Sequence, residues 1–112
     1  TMLPLEYDLF LEQGCDFSEE FTLYNYDGTP LDLTNAVITA QFASSFTTSV
    51  RYEFEINLDA DLNNRFYLYM SGNDVAQIRP DRYWWNGFYS IDGVNTKFCK
   101  GIVVVNGSVN NA

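Results

Sequence analysis

Glu53 and Glu55 could work as a catalytic pair, within the run Tyr52-Glu53-Phe54-Glu55-Ile56-Asn57-Leu58. If this run is extended, both carboxylates leave the same face about 6.8 Å apart. That spacing overlaps the range of an inverting glycosidase, where an acid and a base flank a water. Such chemistry also needs a pocket that raises one pKa. No pocket is suggested here, and the alternation that aligns the two places them on the polar face of an amphipathic strand. They are read as solvated. Glu19-Glu20 is the other obvious carboxylate pair.

Asp59, Asp61 and Asn63 stand at alternate positions, like the start of a calcium loop. That loop wants Gly at its sixth position and Glu at its twelfth. Asn64 and Met70 stand there instead, so the segment is read as a solvated hairpin turn. Histidine is absent from all 112 residues. This removes the commonest general base, the Ser-His and Cys-His nucleophile pairs, and imidazole metal sites. No catalytic, cofactor-binding or metal-binding residue is assigned, no cofactor is expected, and the chain is not expected to be an enzyme. Cys15 and Cys99 lie far apart, on what read as the first and last parts of the sheet. A bridge is geometrically possible. Two free, buried thiols in a protein made in a reducing cytosol are the expectation.

The aromatic residues that could bind something are Trp84, Phe88, Tyr67 and Tyr69. Trp84 and Trp85 are adjacent on a strand and so point to opposite faces. Trp85 shares parity with Tyr83, Tyr89 and Ile91, which read inward. Trp84 shares parity with Arg82, Asn86 and Phe88 and is expected to be partly exposed. With Tyr67 and Tyr69 nearby it could stack on a sugar. It could equally anchor a protein partner, since Trp, Tyr and Arg are enriched at hot spots, or lie under a loop of its own chain.

These side chains must be held by strands, because alternation dominates and helical periodicity is nearly absent. Residues 52–58 and Phe66–Met70 read as a hairpin. Leu5, Tyr7, Leu9 and Leu11 share one face of an opening strand. Phe17 to Asn25 follows, with Phe21 and Leu23 inward, then the Asp27-Gly28 turn. Val37 to Phe42 puts Ile38, Ala40 and Phe42 on one face. Tyr83–Ile91 and Phe98–Val105 form a final hairpin about Asp92-Gly93. In the last strand Ile102 and Val104 oppose Val103 and Val105, and Phe98 opposes Cys99; such a strand wants cover on both sides. A short helical turn is expected within residues 72–79, capped by Ser71 or Asn73 and ending before Arg79-Pro80. The fold class is all-β: an immunoglobulin-like antiparallel β-sandwich of about seven strands, with one domain over residues 1–112.

Charge narrows the partners. Fifteen acidic and six basic residues give a net charge of −9. Neither nucleic acid nor an anionic membrane is an expected partner, since phosphate binding needs clustered Lys and Arg and these read as scattered. No apolar run approaches the roughly 20 residues of a membrane helix. No basic segment followed by an apolar stretch suggests a signal peptide.

Several segments together resemble small β-sandwich modules of bacteriophage tails and baseplates. They are Leu11-Glu-Gln-Gly-Cys-Asp-Phe17, Asp27-Gly-Thr-Pro-Leu-Asp-Leu-Thr34, the Phe54-Glu-Ile56 strand, Ser71 to Ile78-Arg-Pro80, the aromatic strand from Tyr83, and Gly101-Ile-Val-Val-Val105. In order and spacing they cover nearly the whole chain. The known relatives include N-terminal domains of baseplate proteins that hold receptor-binding proteins. One departure is Tyr83-Trp-Trp-Asn86, where such modules commonly have Tyr-x-Tyr-Asp. The resemblance implies a structural protein of the virion, made in the host cytoplasm. Its partners would be other virion proteins or copies of itself, and no catalytic residues are implied. A carbohydrate-binding β-sandwich module is the alternative, and it would show exposed aromatics in a row on one sheet face or in one loop cluster.

Overall fold

The computed structural model describes residues 4–45 and 47–108. Among these, nine strand segments and one short helix follow in the order β1 (Leu5–Glu6), β2 (Leu9–Glu12), β3 (Phe17–Thr22), β4 (Val37–Ala43), β5 (Tyr52–Glu53), β6 (Glu55–Leu58), β7 (Arg65–Met70), α1 (Gly72–Ala76), β8 (Asp81–Ile91) and β9 (Val94–Asn106). β1 and β2 hold one register against β9, and β5 and β6 are separated by a single residue. With β1 and β2 taken as one interrupted strand, the path reads as eight strands. They form a sandwich of two sheets, ordered β1-β9-β8-β4-β5, with β2 also on β9, and β3-β7-β6.

The period-two pattern builds the core. Phe66, Leu68 and Met70 point inward from β7, and Ala40 and Phe42 do so from β4. Tyr83 and Trp85 are buried from β8, Val103 and Val105 from β9, and Leu9 and Leu11 from β2. The β8–β9 hairpin turns on Asp92 and Gly93, with φ of 52° and 80°. Two successive positive φ values are what a two-residue turn matched to strand twist requires. In the helix, the Ser71 hydroxyl accepts from the Asp74 N–H, and Val75 is buried. The Tyr83 hydroxyl donates to the Arg79 carbonyl at 2.6 Å. This is the tyrosine corner of immunoglobulin-like sandwiches, where the second inter-sheet cysteine would stand two residues on. Trp85 occupies that place and faces Phe21 of the other sheet, with ring centroids 6.0 Å apart.

Four expectations change. The sheets are not wholly antiparallel, because the opening strand runs parallel to β9. Residues 52–58 do not form one strand: at Phe54, whose N–H donates to the Ala40 carbonyl, the chain leaves the first sheet and joins the second. Glu53 and Glu55 consequently belong to different sheets and share no face. Phe98 and Cys99 do not oppose each other. A register shift pairs Gly87 with Cys99 but Phe88 with Lys97, so Phe98 is extra and both residues turn inward. Gly87 makes room for this, since a Cβ there would overlap the Phe98 ring. Finally, only Cys99 is buried; Cys15 is exposed on the turn between β2 and β3, and both are free.

Candidate interaction face

The outer face of the larger sheet is built by residues of one parity on its central strands. Trp84, Asn86 and Phe88 leave β8 on this side. Register places Ile102, Lys100 and Lys97 beside them on β9, and Ala43, Gln41 and Thr39 on β4. Trp84 is 49% exposed although it lies mid-strand in a central position of the sheet. It lines three clefts, of about 120, 520 and 300 Å³. Further along, Phe10 is 62% exposed and pairs with the half-buried Val104.

Cations ring this apolar centre. Arg51, Arg82, Lys97 and Lys100 all line clefts that Trp84 shares. These are four of the chain's six basic residues. Lys97 stands over the Phe88 ring, its Nζ 5.5 Å from the centroid. Lys100 lies 3.6 Å from Glu6 on the parallel strand. Both partners are exposed, so that pair is worth at most about 1 kcal/mol. Asp8 also lines a cleft, but its Oδ1 accepts the Ile102 N–H and acts as a substitute rung in the ladder.

Trp84 and Phe88 are therefore brought together, as their parity implied. Tyr67 and Tyr69 are not with them. They leave β7 on the outer face of the smaller sheet, on the far side of the core, each half-buried. The four do not make one sugar-stacking surface. The Tyr67 hydroxyl donates to Asp59 Oδ1 at 2.9 Å. That bond is the main reason its pKa is raised. The other Asp59 oxygen accepts the N–H groups of Asp61 and Leu62. These bonds, with the Leu62 N–H foremost, hold the Asp59 carboxyl below its ordinary range. Asp59 is thus the brace of the β6–β7 turn.

Sequence reading missed the clustering of the cations, because Arg51, Arg82, Lys97 and Lys100 are spread over 50 positions and meet only through strand pairing. It also singled out neither Tyr24, within the Phe17–Asn25 strand, nor Tyr26, at the start of the Asp27-Gly28 turn; both are exposed at one end of the sandwich.

No protein-family model matches the chain, and no curated protein matches it. Among solved structures it is similar to part of the crystal structure of Listeria monocytogenes InlP, with a TM-score of 0.48 and 13% identity. The match covers 92% of this chain and 26% of that one, so the chain spans about a quarter of that protein's length.

Proposed function

We propose that this chain is a non-enzymatic interaction module that docks onto another protein through the outer face of its larger sheet. Its setting on this reading is the bacteriophage virion, in the tail or baseplate. The virion assignment rests on the resemblance of the Leu11–Phe17 and Asp27–Thr34 segments and the Gly101–Val105 ending to such modules. The docking role is carried by one observation: a half-exposed Trp84 at the centre of three clefts, rimmed by four cations in a chain of net charge −9. An aromatic anchor with arginines about it is the composition of an interface hot spot. The four cations outnumber the two carboxylates in these clefts, Glu6 and Asp8, so the rim favours a partner that presents carboxylates.

The test uses proteins encoded beside this chain's gene, and begins with whether those genes encode tail components. With a binding partner among them, Trp84→Ala is expected to weaken the complex by about 1–4 kcal/mol. The melting temperature should hardly move, since the ring is half in solvent. A variant that melts earlier but binds as before would show that Trp84 serves the fold, and the docking role would be lost.

A further inference from the structure

Two clefts open at the end of the sandwich that carries the Tyr24–Leu31 loop and the β8–β9 turn. One has about 480 Å³ and the other about 530 Å³, and they meet at Tyr24, Asn25 and Tyr26. Each is the size of a small-molecule site. The core rings of Phe21 and Phe98 line the first, and Tyr89, Asn95 and Thr96 line the second. Exposed apolar groups collect here: Leu5, Tyr7, Tyr24, Val94, and above all Tyr26 at 88% exposure.

The loop that presents Tyr24 and Tyr26 is tightly held. The Asn25 N–H donates to the Thr29 carbonyl at 2.7 Å, and the Gly28 N–H returns to the Asn25 carbonyl. The N–H and hydroxyl of Thr29 both donate to Asp27 Oδ1. The Asn25 amide donates to the Thr29 hydroxyl and the Pro30 carbonyl. Gly28, at φ +90°, supplies the conformation that closes the turn. The loop thus spends its polar groups on holding its own shape and leaves its tyrosines outward. A rigid aromatic presented this way binds with little ordering cost.

We propose that this end of the molecule is a binding site for a neutral oligosaccharide, with Tyr24 and Tyr26 as stacking platforms between the two clefts. Sugar rings offer apolar C–H faces to aromatic rings, while their hydroxyls need amide and hydroxyl partners. Asn95, Thr96 and Thr22 stand on the walls to supply these. Charge is nearly absent from the lining: Glu20 borders one cleft and Lys97 the other. An anionic ligand would find too few cations, and a second acidic protein would find no complement. The site shares only Lys97 with the lining of the Trp84 clefts and requires no assembly.

The test is a titration of ¹⁵N-labelled chain with neutral oligosaccharides of glucose, galactose, mannose and N-acetylglucosamine, followed by NMR. Amide shifts should centre on residues 24–26 and 94–97. Tyr26→Ala should weaken binding roughly tenfold, in line with the loss of one aromatic stacking contact. It should leave thermal unfolding unchanged, and Trp84→Ala should leave sugar affinity unchanged. The proposal falls if no probe shifts these amides at millimolar concentration, or if the shifts centre on Trp84. It falls also if Tyr26→Ala binds as well as the parent, or if only a protein partner of the Trp84 face perturbs this end.

Discussion

Cys99 and Cys15 show how one residue type takes two characters from its surroundings. Cys99 is sealed between the sheets beside the Phe98 bulge, and burial pushes its thiol up from 9.0 to about 12. A buried neutral thiol is unreactive, because the thiolate is the nucleophile. Cys15 sits on an exposed turn. A thiol reagent at mildly alkaline pH should therefore titrate one thiol in the folded protein and two after denaturation; two in the folded state would show that Cys99 is accessible. The same shift has a consequence for stability. Above pH 9 the unfolded chain gives up the Cys99 proton while the folded one retains it until about pH 12. Across that window the folded state binds more protons, so stability falls as pH rises. Tyr83, raised chiefly by its own burial, acts with the same sign above its ordinary 10.0. Melting temperatures measured at neutral pH and near pH 10.5 should differ accordingly, the alkaline value being lower.

Where an element departs from regular strand, a glycine or a polar side chain makes the departure possible. The opening strand breaks at Tyr7 and Asp8. There the Tyr7 carbonyl leaves the ladder to accept the Trp85 indole N–H at 2.7 Å, while Asp8 Oδ1 takes the Ile102 N–H. Gly101 permits this approach, since a Cβ there would overlap the Tyr7 carbonyl. Gly101→Ala should cost about 1–3 kcal/mol for overpacking, and up to about as much again if the indole loses its acceptor. Gly87→Ala meets the Phe98 ring instead of backbone and should cost less. Urea unfolding of the two variants checks the order; a milder Gly101→Ala would mean that Tyr7 can move away freely. These places also mark the limit of what the sequence conveys. Parity along Tyr83–Ile91 assigned Trp85 inward and Trp84 outward, because period two is a local property of the backbone. The Asp27-Gly28 and Asp92-Gly93 turns were legible for the same reason, and the helix cap was narrowed to Ser71 or Asn73, of which Ser71 serves. The direction of the opening strand, the change of sheet at Phe54 and the bulge at Phe98 were not. Each is decided by what lies across the sheet: β9 for the first, Ala40 for the second, Gly87 for the third. Trp84 and Phe88 could be paired from sequence because they share a strand, whereas Tyr67 and Tyr69 needed the knowledge that β7 lies in the other sheet.

At the scale of the whole molecule, a net charge of −9 predicts repulsion of acidic partners, yet the charges are not evenly spread. Arg51, Arg82, Lys97 and Lys100 gather about Trp84. Of the described acidic residues, only Glu6 and Asp8 line those clefts with them, while Glu20, Glu55 and Asp59 belong to the smaller sheet or its turn, with Arg65 held 3.6 Å from Glu20. Packed sheets lie about 10 Å apart, and these side chains stand further out on either side. The Debye length at 0.1 M salt is also about 10 Å, so a partner approaching the larger sheet feels that face's own charges, the four cations with Glu6, Asp8 and Glu53 among them, and little of the smaller sheet's carboxylates. Steering of this kind acts on the rate of encounter, whereas a packed anchor, the role proposed for Trp84, acts on the rate of escape. The two contributions should separate in kinetics. Raising salt from about 0.1 M to about 1 M shortens the Debye length to about 3 Å and should slow association with a carboxylate-bearing partner by about tenfold, with dissociation nearly constant. Lys97→Glu together with Arg82→Glu should mimic high salt even at low ionic strength. Trp84→Ala should do the reverse, speeding dissociation and sparing association. Surface plasmon resonance at two salt concentrations distinguishes these outcomes. Association indifferent to both salt and charge reversal would show that the cation rim does not recruit the partner, and the docking face would then have to act through its apolar centre alone.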